Sequence, residues 1–479
     1  MLTYQDFEKA TNKPEFIRTL IQRHVGSELY RTAVLADLYD CQRNKTINDY
    51  MQVFFDLTGN PVENFVAANN KIASNFFHRL NVQRCTYSLG NGVSFSDHRE
   101  KRKQEDGTEI TVDLTKERLG IRFDTDLKRV GYKALIHGVA FGYWNSARLF
   151  CFPVTEFAPL LDENDGTLRA GARFWQVDPD KPMTVVFYEE DGYTKYRSDK
   201  KNSKLIEVEP KRGYITRIVS TEADGEVVVG EDNYSGIPVV PMWGSDLHQS
   251  TLVGMREKID SFDLIRSGFA NDLSDCSEIY WILENYGGMT DSDLARFRDR
   301  LKLTHIAEMD TTSGGAVHAH TQEVPYAARQ AFLDSIRSGI YEDFGGLDVH
   351  AVAAGATNDH IDAAYQPMDE NADDFEYQVI EFVQQILKLE GIEDTPIFKR
   401  NRISNQREQT EMVLSAADYL DEETVLQKLP FITPDEVQGI LSRKDQEDKD
   451  RMTGGNALGQ QFGDNSDNGS DVDDNPEDL

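Results

Sequence analysis

The sequence predicts an α+β fold, mainly helical, with a block of antiparallel strands between helical stretches. Three observations carry this. Apolar residues recur at helical spacing near both ends of the chain. Between about residues 141 and 243, short apolar segments alternate with Asp-Gly turns. From Met255 to Glu390 the pattern reads helix, small β-rich module, helix, loop, long helix. At 479 residues the chain exceeds what one hydrophobic core supports, so several substructures are expected.

In chain order, the first eighty residues are expected to be mostly helical. Phe16, Leu20 and the Ala33–Leu38 region recur at helical spacing, and Thr58-Gly-Asn-Pro61 marks a turn. A helix from about Val62 to Val82 would turn Phe65, Ile72, Phe76 and Leu80 inward. The basic run His98-Arg-Glu-Lys-Arg-Lys-Gln104 is followed at once by Glu105 and Asp106. It reads as a solvated loop rather than a nucleic-acid patch.

The strand block comprises Arg148–Phe152, Phe174–Val177, Thr184–Tyr188, Tyr193–Tyr196, Tyr214–Val219 and Glu226–Val229. Asp165-Gly166, Asp191-Gly192 and Asp224-Gly225 supply turns, which suits one compact antiparallel sheet domain. Pro238 and Pro241 are expected to end it.

Beyond it, Met255, Ile259, Phe262, Phe269 and Leu273 follow the helical period. A returning helix opens at Pro325 and repeats Phe332, Ile336, Ile340 and Phe344 on one stripe until Gly345-Gly346 stops it. Between the two helices, residues 277–324 suit a small α/β module. Ile279–Leu283 reads as a strand or buried helix end, and Asp291–Leu301 as a short helix behind the cap Thr290. His305–Met309 and Ala316–Thr321 read as strands joined at Ser313-Gly-Gly315. The small-residue loop Val349-His-Ala-Val-Ala-Ala-Gly-Ala-Thr357 precedes a run with Phe375, Val379, Phe382, Val383 and Ile386, enough for roughly 45 Å of helix. One core does not need this layout, whereas a tube does: a helix down, a cap, a helix back, and a loop into the lumen. Arg402–Leu441 reads as helical, split at Leu429-Pro430, with Thr433-Pro434-Asp435-Glu436 starting the last helix. Residues 453–479 are acidic and nearly devoid of large apolar side chains, so they cannot add much core.

Composition narrows the function. The chain carries 83 acidic against 51 basic residues, net −32. A protein that grips DNA uses Lys and Arg to release counterions, which is the opposite balance. An acidic surface gives solubility, and in a pore it would also keep phosphate from sticking. No run of 18 apolar residues exists, and Met1-Leu-Thr-Tyr-Gln-Asp lacks a signal-peptide pattern, so no membrane partner is expected. Cys41, Cys85, Cys151 and Cys276 form no Cys-x-x-Cys pair and are expected to be reduced thiols.

No catalytic residue, metal or cofactor is expected. Gly-x-x-x-x-Gly-Lys-Ser/Thr, His-Glu-x-x-His and Gly-x-Ser-x-Gly are absent, and Gly90-x-Gly92 lacks a third glycine. Asp162-Glu-Asn-Asp-Gly166 has no bidentate Glu at the twelfth position and reads as a hairpin turn rather than a calcium loop. His318 and His320 would share one strand face, but no third ligand is near in sequence, so they read as an interface pair.

The Met255–Glu390 layout resembles the stem, clip and tunnel-loop region of portal proteins of long-tailed bacteriophages, the Bacillus-siphophage-type family. Asn69-Asn-Lys-Ile72 through Asn75-Phe-Phe77, Tyr87-Ser-Leu-Gly90, Gly236-Ile-Pro-Val-Val-Pro241, Asp263-Leu-Ile-Arg-Ser-Gly268 and Leu429-Pro-Phe431 are similar to that family's pattern in order and spacing. The resemblance covers roughly residues 10–450. It implies a wing over 1–249 with its β subdomain at about 141–243, stem helices over 250–275 and 325–345, and a clip over 276–324. It further implies a tunnel loop over 346–358, a long wing helix over 359–400, a crown over 401–452 and an acidic tail over 453–479.

By the same resemblance, about twelve copies close into a ring at one capsid vertex. Double-stranded DNA passes through the ring during packaging and ejection. Implied partners are the terminase large subunit, the major capsid and scaffolding proteins, and a head-completion adaptor. The implied location is the virion, with assembly in the host cytoplasm. The tunnel loop would present Val349, His350, Ala351, Val352, Ala353, Ala354, Gly355, Ala356 and Thr357. Arg329 and Arg337, eight residues apart on one helix face, are the candidate basic positions of the lumen, and His318 and His320 belong to the clip interface. Arg329 and Arg337 could instead pair with Asp334 or Glu342 of a neighbouring copy. The alternative function is an acidic phage or bacterial enzyme of hydrolase type with an unrecognised site. Oligomeric state separates the two.

Overall fold

The structure, a computed structural model, describes residues 2–55, 58–63, 68–103, 109–198, 204–221, 227–275, 280–284, 290, 292, 296, 316–320, 326–349, 358–402, 406–429, 432, 437 and 439–444. It combines helices with antiparallel sheets. Contacts divide the chain into two units. One holds Met1–Asp348 and Tyr365–Arg402, the other Val349–Ala364 and Ile403–Leu479. No helix among the described residues is long and apolar enough to cross a membrane.

In the first unit, Thr3 caps α1 (Tyr4–Lys9) and Asn12 caps α2 (Lys13–Val25), each side chain accepting from the backbone N–H three residues on. Ile17, Leu20 and Ile21 lie on one face of α2, at spacings of three and four residues. They pack with Phe7 against a five-stranded sheet. Its order is Leu205–Arg212, Gly192–Ser198, Thr184–Glu189, Leu168–Trp175, Phe157–Leu161. Asp162–Gly166 is the turn between the last two, with the Gly166 N–H donating to the Asp162 carbonyl at 3.1 Å.

The strand block is not one sheet. Val239–Trp243, Val139–Trp144 and Leu149–Pro153 form a separate three-stranded sheet, and among the described residues Ile215–Thr221 pairs with Val227–Asp232 alone. Pro241 does not end the block; it sits opposite Phe141 in an edge strand, where its missing N–H costs no ladder bond. The two larger sheets part because apolar residues from both fill one layer between them. Phe141 and Phe152 meet Phe157 and Val186 there, with the Phe141 and Phe157 rings 4.5 Å apart.

After α3 (Glu28–Asp40) and α4 (Lys45–Asn48), Val53–Phe55 pairs with Pro61–Glu63 across the Thr58–Pro61 turn. The expected helix from Val62 does not form: α5 runs Phe76–Leu89, and residues 68–75 have no regular structure. The basic run is also not a loop. Arg99–Lys103 is a fully exposed strand paired with Glu109–Asp113.

The largest core forms where α7 (Phe123–His137), which follows the short α6 (Leu114–Leu119), meets the three-stranded sheet and the long α10 (Asn358–Leu389). Phe375, Val379, Phe382, Val383 and Ile386 of α10 are all buried there, as their spacing predicts. Past Gly391, Pro396–Phe398 pairs with Val93–Phe95. Tyr280–Glu284 pairs antiparallel with Ala316–His320, so the residues 277–324 do contain a sheet. Thr290 lies at hydrogen-bond distance from Ser292, 2.8 Å between hydroxyls, and Ser292 and Arg296 are helical. The expected His305–Met309 strand lies outside the described residues.

The second unit contains α11 (Gln406–Ser415), a 3-10 turn at Ala417–Tyr419, and α12 (Glu422–Lys428), capped by Asp421 at the Thr424 N–H, 3.0 Å away. Residues 439–444 are helical, and Lys444 pairs with Glu422. The acidic tail 453–479 and the Thr433 cap lie outside the described residues.

Candidate channel-lining helix pair

The helix pair at the centre of the predicted tube is α8 (Arg256–Asp275) and α9 (Tyr326–Phe344). Both are half covered. Met255, Ile259 and Phe262 pack with Leu333, Ile340, Tyr341 and Phe344, and with Phe77 and Leu80 of α5. Phe76 stands edge-on to Phe262 at 5.0 Å and to Tyr341 at 6.1 Å. The other ends of the same stripes are open: Phe332 is 50% exposed, Leu273 56% and Tyr326 60%. Beside them, Ile47, Tyr50, Leu264, Ile265, Ala328 and Phe332 line a groove of about 670 Å³.

A row of acceptors on α8 explains why α5 starts late. Asp263, Ser267 and Asn271 recur every four residues, so they share one helix face. They accept from the backbone N–H groups of Ser74 (2.9 Å), Ile72 (3.0 Å) and Asn70 (2.6 Å). Alternate amides of an extended segment thus find partners one helical turn apart. Asp263 is fully buried and also accepts from Asn44 Nδ2 at 2.8 Å. Burial pushes its carboxyl up, against the opposing pull of the Asn44 and Ser74 donors. Asp263 and Ser267 lie in the Asp263–Gly268 segment, where their four-residue spacing is the one sequence signal of this shared face.

The predicted lumen arginines are both present on α9, and both are paired within the chain. Arg329 pairs with Asp272 and lies over the Phe269 ring at 5.8 Å. Arg337 donates from Nη2 to both carboxylate oxygens of Asp348, at 3.1 and 3.0 Å. Asp334 and Glu342, the partners expected from a neighbour, instead accept from Gln330 and Ser338 of their own helix. Lys258 donates to the Gly339 carbonyl at 3.3 Å and pairs with Asp343.

Gly345 ends α9 at φ +62°. Its N–H donates to the Glu342 carbonyl and that of Gly346 to Tyr341, the two bonds of a Schellman cap. The turn leads to Val349, which is 57% exposed. His350 to Thr357, the rest of the expected tunnel loop, lie outside the described residues. His318 and His320 fall two apart in a strand, in register with Ile282 and Tyr280. Among the described residues, no group of three His, Cys, Asp or Glu is placed to hold a metal ion.

A family model described as "Phage portal protein, SPP1 Gp6-like" matches residues 21–450. The portal protein of Clostridium phage phiCD119 is 25% identical over 219 residues, 43% of this chain and 48% of that protein. The portal protein of Bacillus phage SPP1 is 23% identical over 229 residues, 44% of each chain. Each alignment therefore spans just under half of the relative's own length. With the family model covering most of its length, the chain belongs to the SPP1 Gp6-like phage portal protein family.

Proposed function

We propose that this chain builds the ring-shaped portal channel of a tailed-phage capsid, through which double-stranded DNA is packaged and later ejected. The match of the family model over residues 21–450 carries this reading. The half-covered helix pair supports it, because neighbouring copies would cover the open ends of α8 and α9. In this reading α8 and α9 are the stem and residues 346–358 narrow the lumen. Residues 276–324, with His318 and His320 at the subunit contact, dock the terminase large subunit and then the head-completion adaptor. The first 249 residues and 359–400 form the wing, toward capsid and scaffolding proteins, and 401–452 the crown. The role is structural, without a catalytic step, and its place is the virion after assembly in the host cytoplasm. Family membership favours this reading over the hydrolase alternative.

Negative-stain imaging and native mass measurement of the purified chain test it. Closed rings of about twelve copies are expected. A chain that stays monomeric or dimeric at every concentration overturns the channel and returns the enzyme reading.

A further inference from the structure

Two of the three places where the chain crosses between its units pass through one cluster of charged and aromatic side chains. These two fall between Ala364 and Tyr365 and between Arg402 and Ile403, in that order; the third is between Asp348 and Val349. Tyr365, at the first crossing, is buried and stacks on Tyr87 of α5 with ring centroids 5.6 Å apart. Arg402, at the second, lies over the Tyr365 ring at 5.7 Å. Its Nε donates to the Tyr87 hydroxyl at 2.8 Å, and its guanidinium pairs with Asp369. The Tyr87 hydroxyl in turn donates to Asp369 Oδ1 at 2.6 Å.

A second arginine closes the network. Arg400 donates to Asp369 at 2.9 Å and to Glu376 at 3.0 and 2.9 Å, and pairs with Asp373. Asp369, Asp373 and Glu376 lie on one face of α10, spaced by four and three residues. The cluster is only partly exposed: the side chain of Asp369 is 19% accessible and that of Arg400 22%.

We propose that Tyr87, Asp369 and Arg402 are positioning residues that clamp these two crossing points to each other. The coupling follows from shared members. Unwinding α10 past Ala364 would pull Tyr365 from beneath Arg402 and from Tyr87. Loosening the chain after Arg402 would leave Asp369 and the Tyr87 hydroxyl with lost partners in a half-buried site. Either event weakens the other, so residues 358–364 and 406–429 open together rather than independently. The proposal borrows from the portal reading only what the crossings would serve, the lumen loop and the crown.

Hydrogen–deuterium exchange read by mass spectrometry on the full chain tests it. Asp369→Asn and Arg402→Gln should each speed exchange on the order of tenfold in both 358–364 and 406–429, the scale of a lost charge-assisted hydrogen bond. Exchange in Phe375–Leu389 and Phe123–His137 should stay at the wild-type rate. Faster exchange in only one of the two segments, or in neither, overturns the clamp. If Asp369→Asn loosens the whole first unit, Tyr87→Phe decides. It keeps the ring stack and removes the bridging hydroxyl, so a joint rise of roughly threefold in both segments supports the clamp, and any other pattern rejects it. Coupled exchange in a chain that never forms rings would leave the clamp standing and remove the channel reading.

Discussion

A single carboxylate, Asp394, ties together the edge of the largest core. Its Oδ2 accepts from Thr115 Oγ1 at 2.6 Å and lies 3.2 Å from His98 Nδ1. Its Oδ1 accepts from the backbone N–H groups of Asp97 (3.1 Å) and Thr395 (2.8 Å). Burial alone would push this carboxyl up, but the donors outweigh it and hold it to about 2. The folded value thus lies below the unfolded one. The stabilisation is full above about pH 4, and it is lost as the pH falls toward 2. Its size is about 2 kcal/mol, taking 1.36 kcal/mol per unit. Urea midpoints measured from pH 7 down to pH 2 should show it. Asp394→Asn should lose about that much at pH 7 and fall less steeply between pH 4 and 2. Equal acid slopes in the two proteins would reject the assignment. None of this was legible beforehand, because carboxylates are so frequent in the chain that one acidic position says nothing until its donors are seen. Gly345 is the opposite case. A Gly-Gly pair after an apolar stripe announces a helix stop, and the positive φ and paired N–H groups are what such a stop requires.

At the scale of elements, periodicity located helices better than it located their ends. α10 shows all five predicted core residues buried. The helix expected from Val62 begins instead at Phe76, since the amides of residues 70, 72 and 74 take acceptors on α8, about two hundred positions along the chain. The apolar spacing of Ile72, Phe76 and Leu80 carries no trace of those acceptors. Two carboxylates, Asp272 of α8 and Asp348 beyond the end of α9, account for the arginines of α9. Each is paired with a carboxylate of its own chain and remains about a third exposed. Solvent-exposed pairs contribute roughly 0–1 kcal/mol each. The Arg329→Ala/Arg337→Ala variant should therefore lower stability by no more than about 2 kcal/mol in total and leave packaged DNA length unchanged. Stable protein that packages a different length of DNA would show that these side chains reach the genome.

At the scale of the whole molecule, charge is the dominant fact. The net charge is −32, and four of the five cations of the helix pair, Arg256, Lys258, Arg329 and Arg337, each pair with a carboxylate of the same chain. A ring of such chains would repel phosphate rather than bind it. Short duplex DNA should accordingly bind the purified assembly weakly, without the steep loss of affinity on adding salt that counterion release produces. Fluorescence anisotropy between about 50 and 200 mM salt measures this, and a drop of about a thousandfold over that range would contradict it.

The α+β class, the order helix, module, helix, long helix, and the family are legible in the linear chain. These reside in local periodicity, turn chemistry and the order of short segments, which a linear reading captures. The division of the strand block into separate sheets, the start of α5, the carboxylates that hold Arg329 and Arg337, and the cluster shared by the crossings at Ala364/Tyr365 and Arg402/Ile403 emerge only in the folded chain. Each of these depends on a hydrogen bond or apolar contact between residues far apart in sequence. Such a pairing is selected by the free energy of satisfying buried donors and filling space in the folded chain, a quantity that no local window contains.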